Sequence, residues 1–324
     1  MKKILCIGSL IVDIINSKIE RLPREGESTN ASVLISLGGN AFSMSVNLSR
    51  LNQLDFEVFC YGQIGQDCLG ELFEVRLRDE NVLSCLQKTN KKNTSCNIII
   101  QEKGKDRRYI FDEGANSFLF KGQLINVINN VKPDVVVFGE IPSIGLSGNV
   151  FLEILDFIKK QYNSLVLLDL LVNSNESYNW LSGNWHKIDI IHCNKGEGAQ
   201  ITKNFEVKDM VKWFVGNGIK LAIISDGQNG CCCGFNEISF GVDAFKAEEI
   251  DATGAGDAMV AGIITRILEV LKKNKKNQLN SIYPYEMKEI IRFGSACGAI
   301  AIQALGCISD ITRHKVEDLL ESEV

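Results

Sequence analysis

The sequence predicts an α/β protein of three layers, a mostly parallel central sheet with helices on both faces, plus a small β-sheet lid. Three observations lead there. Four apolar runs, Val135–Phe138, Leu165–Leu168, Ile188–Ile191 and Leu221–Ile224, alternate with segments of helical periodicity such as Val150–Lys160 and Val207–Val215. Near-continuous apolar strands between helices indicate a parallel sheet covered on both sides. Each run is followed by a polar residue (Glu140, Asp169, Asn194, Ser225-Asp226-Gly227), and ligands of open α/β sheets collect at the carboxyl ends of strands. Residues 14–36 and 94–112, by contrast, read as short exposed strands broken by polar turns, which suits a lid.

Taken in order, Ile4–Ile7 is the first buried strand, Gly8 turns the chain, and Asp13 lies just beyond. From Ile14 to Ile35 the residues become polar and turn-rich, with Leu22-Pro23 and Glu25-Gly26. Gly38-Gly39-Asn40 opens a helix whose apolar residues Met44, Leu48 and Leu51 recur at helical spacing. Phe56–Tyr61 is the next strand and Leu69–Leu77 the next helix. Short strands at Cys96–Ile100 and Arg108–Phe111 flank the charged turn Glu102–Asp106 and complete the lid. After Gly114-Ala115-Asn116 the strand–helix alternation sets in, and helices over 255–271 and 285–304 close the chain. No internal repeat is evident, so residues 1–324 are read as one domain with lid strands inserted at about 14–36 and 94–112.

Hydrophobic residues make up 45% of the chain and charged residues 23%, enough for a large core without metal or disulfide. The net charge of −5 gives no footprint for nucleic acid or for an anionic membrane, and Lys272-Lys273-Asn274-Lys275-Lys276 is read as a solvated loop. The eleven cysteines are odd in number, Cys6, Cys60, Cys96 and Cys193 sit in apolar runs, and Cys231-Cys232-Cys233 lacks a second pair at zinc-knuckle spacing. Reduced thiols of a cytoplasmic protein fit that distribution. The basic, then apolar start resembles a signal peptide but is interrupted by Asp13, and no apolar run reaches membrane-spanning length.

The chemistry concentrates in Ile250-Asp251-Ala252-Thr253-Gly254-Ala255-Gly256-Asp257, just ahead of a helical run. Two glycines at a helix start leave backbone N–H groups bare, and the partial positive charge of the helix N-terminus suits a phosphate. Asp257 falls in the first turn, where that charge is expected to keep its carboxylate ionised. A carboxylate beside an anion pocket suits a general base that takes the proton from a hydroxyl attacking phosphorus. The plainer reading of the octapeptide alone is a Gly-rich turn with an ordinary capping Asp.

The ordered set of Asp13 after the first strand, Gly38-Gly39 before a helix, Asn194-x-x-Glu197, Ser225-Asp226-Gly227 and Thr253–Asp257 resembles the ribokinase-like (PfkB) carbohydrate kinase family over nearly the whole chain. The resemblance implies Asp257 as catalytic base and the backbone of Gly254, Ala255 and Gly256 as anion hole. It implies Asp13, Gly38, Gly39 and Glu140 as acceptor contacts, and Ser225, Gly227, Gly230, Thr253 and Ser295 with Asn194 on the nucleotide side. Asn194 and Glu197 would hold Mg²⁺ through water against ATP, and Asp251 and Thr253 would border a monovalent-cation site for K⁺. The sequence departs from the family pattern at several places. Ser43 stands four positions beyond the second Gly, where an Asn is usual, and Asn40 lies earlier in the same turn. Leu170–Asn175 lacks the Arg commonly found there, Ser295 replaces an Asn, and Asp310 replaces a small residue near the cation site.

The expected activity is ATP-dependent phosphorylation of a primary alcohol of a small sugar such as ribose or fructose. The alternatives are a nucleoside kinase of the same fold, with Tyr109 and Phe111 as a platform for the base, and a catalytically silent sensor. Adjacent Arg107 and Arg108 point to opposite faces of a strand, so at most one faces inward; they are read as a solvated lid edge. Exposed strands of the lid suggest a homodimer through it. The single Gly8 after the first strand does not fit a dinucleotide-binding Gly-x-Gly-x-x-Gly, and no Gly-x4-Gly-Lys-Ser/Thr is present.

Overall fold

Alternation along the strands divides the core in two. In β1 (Lys3–Ile7), Ile4 and Cys6 join one buried cluster while Leu5 and Ile7 join another on the opposite face. The computed structural model describes residues 1–322 apart from 54–55, 142–143, 147, 172–177 and 309. Between β1 and the rest of the main sheet the chain makes β2 (Ile11–Ile19) and β3 (Ser32–Gly38), then α1 (Asn40–Leu51) and β4 (Glu57–Tyr61). It continues through β5 (Gln63–Gly65), α2 (Cys68–Asp79), β6 (Leu83–Ser84) and β7 (Gln87–Thr89) to β8 (Cys96–Glu102) and β9 (Arg108–Asp112).

The regular alternation follows: α3 (Lys121–Val131), β10 (Val135–Gly139), α4 (Gly148–Gln161), β11 (Leu165–Asp169), β12 (Ile190–Asn194), α5 (Lys195–Thr202), α6 (Val207–Gly216) and β13 (Leu221–Ser225). A hairpin of β14 (Cys231–Phe235) and β15 (Ile238–Val242) precedes α7 (Ala255–Lys273), α8 (Pro284–Ala301) and α9 (Arg313–Ser322). The main sheet has the order β15-β14-β13-β12-β11-β10-β1-β4-β6, parallel except for β14 and β15. Helices α1, α7 and α8 pack on one face, with Phe42, Val260, Ile263 and Ile290 in the core there. On the other face α3, α4 and α6 bury Ile128, Ile154 and Phe214.

The lid is a separate sheet of order β3-β2-β8-β9. Its register puts Asp13, Ser36, Asn97 and Phe111 in one cross-strand row, and Ile14, Ile35, Ile98 and Ile110 in the row on the opposite face. Strand partners share a face, so one side of the lid carries Asp13 and the other is an apolar, largely exposed surface. All eleven cysteines are free, and among the described residues no helix is long and apolar enough to cross a membrane.

Candidate active site

The strand order reverses at β1, flanked by β10 on one side and β4 on the other. Open α/β sheets form their crevice at such a point, outside the carboxyl ends of the strands. Register then decides which polar residues meet. Asp169 pairs with Gly139 on one side and His192 on the other, and Asn194 pairs with Ser225. Helix α1 begins over the reversal: Gly39, at φ 90, lies so close to Ser9 that a Cβ there would stand 2.4 Å from the Ser9 carbonyl oxygen. That close approach brings Asn40 onto the end of β10.

Asp257 closes the group. From the first turn of α7 its carboxylate accepts a hydrogen bond from the Asn40 amide (Nδ2 to Oδ1, 2.8 Å), and the same Nδ2 lies 3.4 Å from Asp169 Oδ2. Asp169 in turn holds His192 Nδ1 at 2.6 Å. The Asn40 Oδ1 and the His192 Nε2 are buried without a partner among the described residues. Ser9 donates to Glu140, which sits past β10 at φ 51, a left-handed conformation that a non-glycine residue adopts at a cost. The helix start is expected to keep Asp257 ionised, and its surroundings in the structure act in the opposite direction. Burial first, then the charges of Asp169 and Glu140, push its pKa well up, against the lowering by Asn40 and His192. Burial alone would lower the His192 pKa, but Asp169 more than offsets it.

The turn Thr253–Asp257 is largely open. The Ala255 N–H makes a long turn bond to the Ala252 carbonyl (3.3 Å), whereas those of Gly256 and Asp257 have no partner among the described residues. Gly254 takes φ 80 as the cap of α7, and Gly256 rests over His192.

On the lid, Asp13 accepts from Asn97 Nδ2 at 3.0 Å, and Cys307 Sγ lies 3.6 Å from its other oxygen; Gly38 packs beside both. Burial raises the Asp13 pKa and the Asp251 charge adds to it, while Asn97 and Cys307 work against the rise. Arg108 is exposed and faces Glu102. Arg107 is not a solvated edge: its Nη1 lies 3.0 Å from Asp251 Oδ1, inside the contact between lid and loop. Asp251 also accepts from the Thr253 N–H (3.0 Å), the Thr253 hydroxyl (2.7 Å) and the Gly306 N–H (3.1 Å). Burial opposes these bonds, yet together with Arg107 they hold its pKa below the usual range. A carboxylate so filled by the protein's own donors, one of them a guanidinium, does not fit a potassium ion. Asp310 turns away to an exposed ion pair with Lys315.

Toward the other end of the crevice, Asn194 and Glu197 form a reciprocal cap at the start of α5: Glu197 N–H to Asn194 Oδ1 at 2.9 Å, Asn194 N–H to Glu197 Oε2 at 2.8 Å. Their oxygen donors at a strand end fit Mg²⁺ held through water. Ser225 is half-buried beside Cys193, Gly227 and Gly230 turn the chain at positive φ, Thr253 is exposed, and Ser295 is half-buried on α8. Ser43 is fully buried within α1, its hydroxyl without a partner among the described residues. Most of Leu170–Asn175, where an Arg is missing, lies outside the described residues. Sequence reasoning missed His192, Asn97 and Cys307. His192 hides in an apolar strand, whereas Asn97 is reachable by counting alternation in step with Asp13.

A profile of the pfkB family carbohydrate kinases matches residues 1–314. "Probable fructokinase-7" of Arabidopsis thaliana is 25% identical over 340 residues, covering 98% of this chain and 92% of that protein. Among solved structures, ribokinase from Giardia lamblia superposes with a TM-score of 0.83 at 20% identity, over 100% of this chain and 99% of that one. An Arabidopsis thaliana ribokinase complexed with ribose and ATP gives 0.80 at 23% identity, over 99% of each. A profile that spans the lid strands, the strand-end residues and the anion loop in one register leaves no part of the crevice outside it, and the chain belongs to the pfkB family of carbohydrate kinases, phosphotransferases with an alcohol group as acceptor.

Proposed function

We propose that this kinase transfers the γ-phosphoryl group of ATP to a primary alcohol of a small neutral sugar such as ribose or fructose, with Asp257 as general base and the amides of Gly254, Ala255 and Gly256 as anion hole. The observation that carries this reading is the meeting of Asp257 with Asn40, Asp169 and Glu140 at the reversal of strand order. A base with a raised pKa takes a proton more readily, and the Asn40 amide, whose Oδ1 has no partner among the described residues, holds that carboxylate in place. The anion loop stabilises charge on the moving phosphoryl group. Asn194 and Glu197 would hold Mg²⁺, which when bound neutralises charge on the nucleotide phosphates.

A neutral acceptor is supported by charge. Asp13, Glu140, Asp169 and Asp257 line the acceptor side, Arg107 is committed to Asp251, and Leu170–Ser177 contains no Lys or Arg. Carboxylates accept bonds from hydroxyls and repel a phosphate or an acid. A nucleoside acceptor is the second reading, favoured by Phe111 and Tyr109, both more than half exposed on the lid face that carries Asp13. A panel of free sugars, sugar phosphates and nucleosides with ATP, followed by ADP release, tests both. Turnover is expected with a free sugar, and a panel without any turnover removes the kinase reading in favour of a silent sensor.

Neutralising Glu140 is expected to move the acidic limb of the kcat/KM profile. The base works ionised, so activity falls as pH drops through its pKa, and a nearby negative charge raises that pKa. Glu140→Gln therefore shifts the limb to lower pH, and a shift to higher pH contradicts the assignment.

A further inference from the structure

Arg107 and Asp251 lie 144 residues apart in sequence and meet where the lid touches the anion loop. The Asp251 side chain is 3% exposed and that of Arg107 28%. Asp251 already has a structural task, since its bonds to Thr253 and Gly306 shape the turn that enters Gly254. The cost of that task is a buried negative charge next to amides that must receive a phosphoryl anion, and in a low-dielectric site like charges repel strongly. Among the described residues, Arg107 is the cation paired with it. Arg107 directly precedes β9, so this positive charge belongs to the lid and not to the loop.

We propose that Arg107 is a positioning residue that carries the counter-charge of Asp251 on the lid, so that the anion loop becomes competent only with the lid closed and needs no potassium ion. The inference rests on the kinase reading above. With the lid raised, Asp251 is left uncompensated and the loop disfavours the phosphoryl group. Acceptor binding that draws the lid down delivers the guanidinium and completes the electrostatics. Loop and lid thereby share one equilibrium, biased by the acceptor, and ATP is protected from water while no sugar is bound.

The test compares the wild type with Arg107→Gln and Arg107→Lys, in potassium chloride and in choline chloride at equal ionic strength. Turnover is read by ADP release, and thermal midpoints by differential scanning fluorimetry. Wild-type kcat is expected to agree between the salts within about twofold. Arg107→Gln should lose about tenfold or more in kcat in choline chloride, as expected when a buried charge loses its partner, with a smaller change in the KM for ATP. Potassium should restore part of that loss, and Arg107→Lys should restore most of it in either salt. Midpoints give the same answer without turnover: potassium should raise that of Arg107→Gln and leave the wild type in place. Potassium stimulation of the wild type beyond about twofold, an Arg107→Gln variant as active as wild type in choline chloride, or equal midpoint shifts in both proteins would overturn the inference. Potassium-dependent turnover defeats this inference alone, whereas a wild type inactive on every acceptor defeats the kinase reading.

Discussion

Asp257→Asn is expected to lower kcat by about 10²–10⁴-fold while changing ATP affinity little, the range that loss of a positioned general base produces. Asn keeps the shape of the side chain, and its carbonyl oxygen can still accept from Asn40, so the cluster around Asp169 and His192 stays assembled. What disappears is the capacity to take a proton. Single-turnover kinetics with the best acceptor, set beside nucleotide titration by calorimetry, separate the chemical step from binding. A variant that turns over within about tenfold of wild type would show that the acceptor loses its proton elsewhere, and Asp257 would then be only a first-turn residue of α7 bonded to Asn40.

Gly254→Ala carries the second large effect, and for a different reason. Gly254 holds φ 80, which a side chain disfavours, and a Cβ there would stand 2.6 Å from the Cys307 carbonyl oxygen and 3.0 Å from the Cys307 Cα. Those neighbours are backbone, so the loop must move. We expect a stability loss of about 1–3 kcal/mol from the strained conformation alone. We also expect a fall in kcat of about 10²–10³-fold, as when a donor of an anion hole is withdrawn. Denaturant titration and steady-state kinetics check the two parts. Near-normal kcat in a folded Gly254→Ala protein would mean that the loop's exact path does not matter to phosphoryl transfer.

The main sheet was legible because its strands are apolar on both faces, and the lid because its strands are not. Errors came where chemistry interrupts a pattern. The apolar run at Ile188–Ile191 suggested an earlier strand, but Asp189 is pinned by Lys159, Lys220 (2.6 Å) and the Val166 N–H (2.8 Å), and β12 starts only at Ile190. The β14–β15 hairpin is absent from the sequence reading, which considers Cys231-Cys232-Cys233 only as thiols. They are buried strand residues, and the turn between them is Asn236-Glu237, both at positive φ. At the site, the glycines and strand-end acids carry local signals that sequence order preserves. The Asn40–Asp169–His192 contacts and the Arg107–Asp251 pair arise from sheet register and lid placement, which join residues far apart in the chain.

The lid also bears on how relatives of this enzyme diverge. It is made from two excursions of the chain, one between β1 and α1 and one between β7 and α3, while the ends of β12 and β13 and the start of α7 belong to the main body. Drift in those excursions can remodel the small sheet and leave the strand ends and the start of α7 untouched. The exception is the Arg107–Asp251 ion pair, which among the described residues crosses that boundary, so a lineage that loses the basic residue at position 107 inherits a debt at 251. In an alignment of its descendants, those two columns are expected to change together.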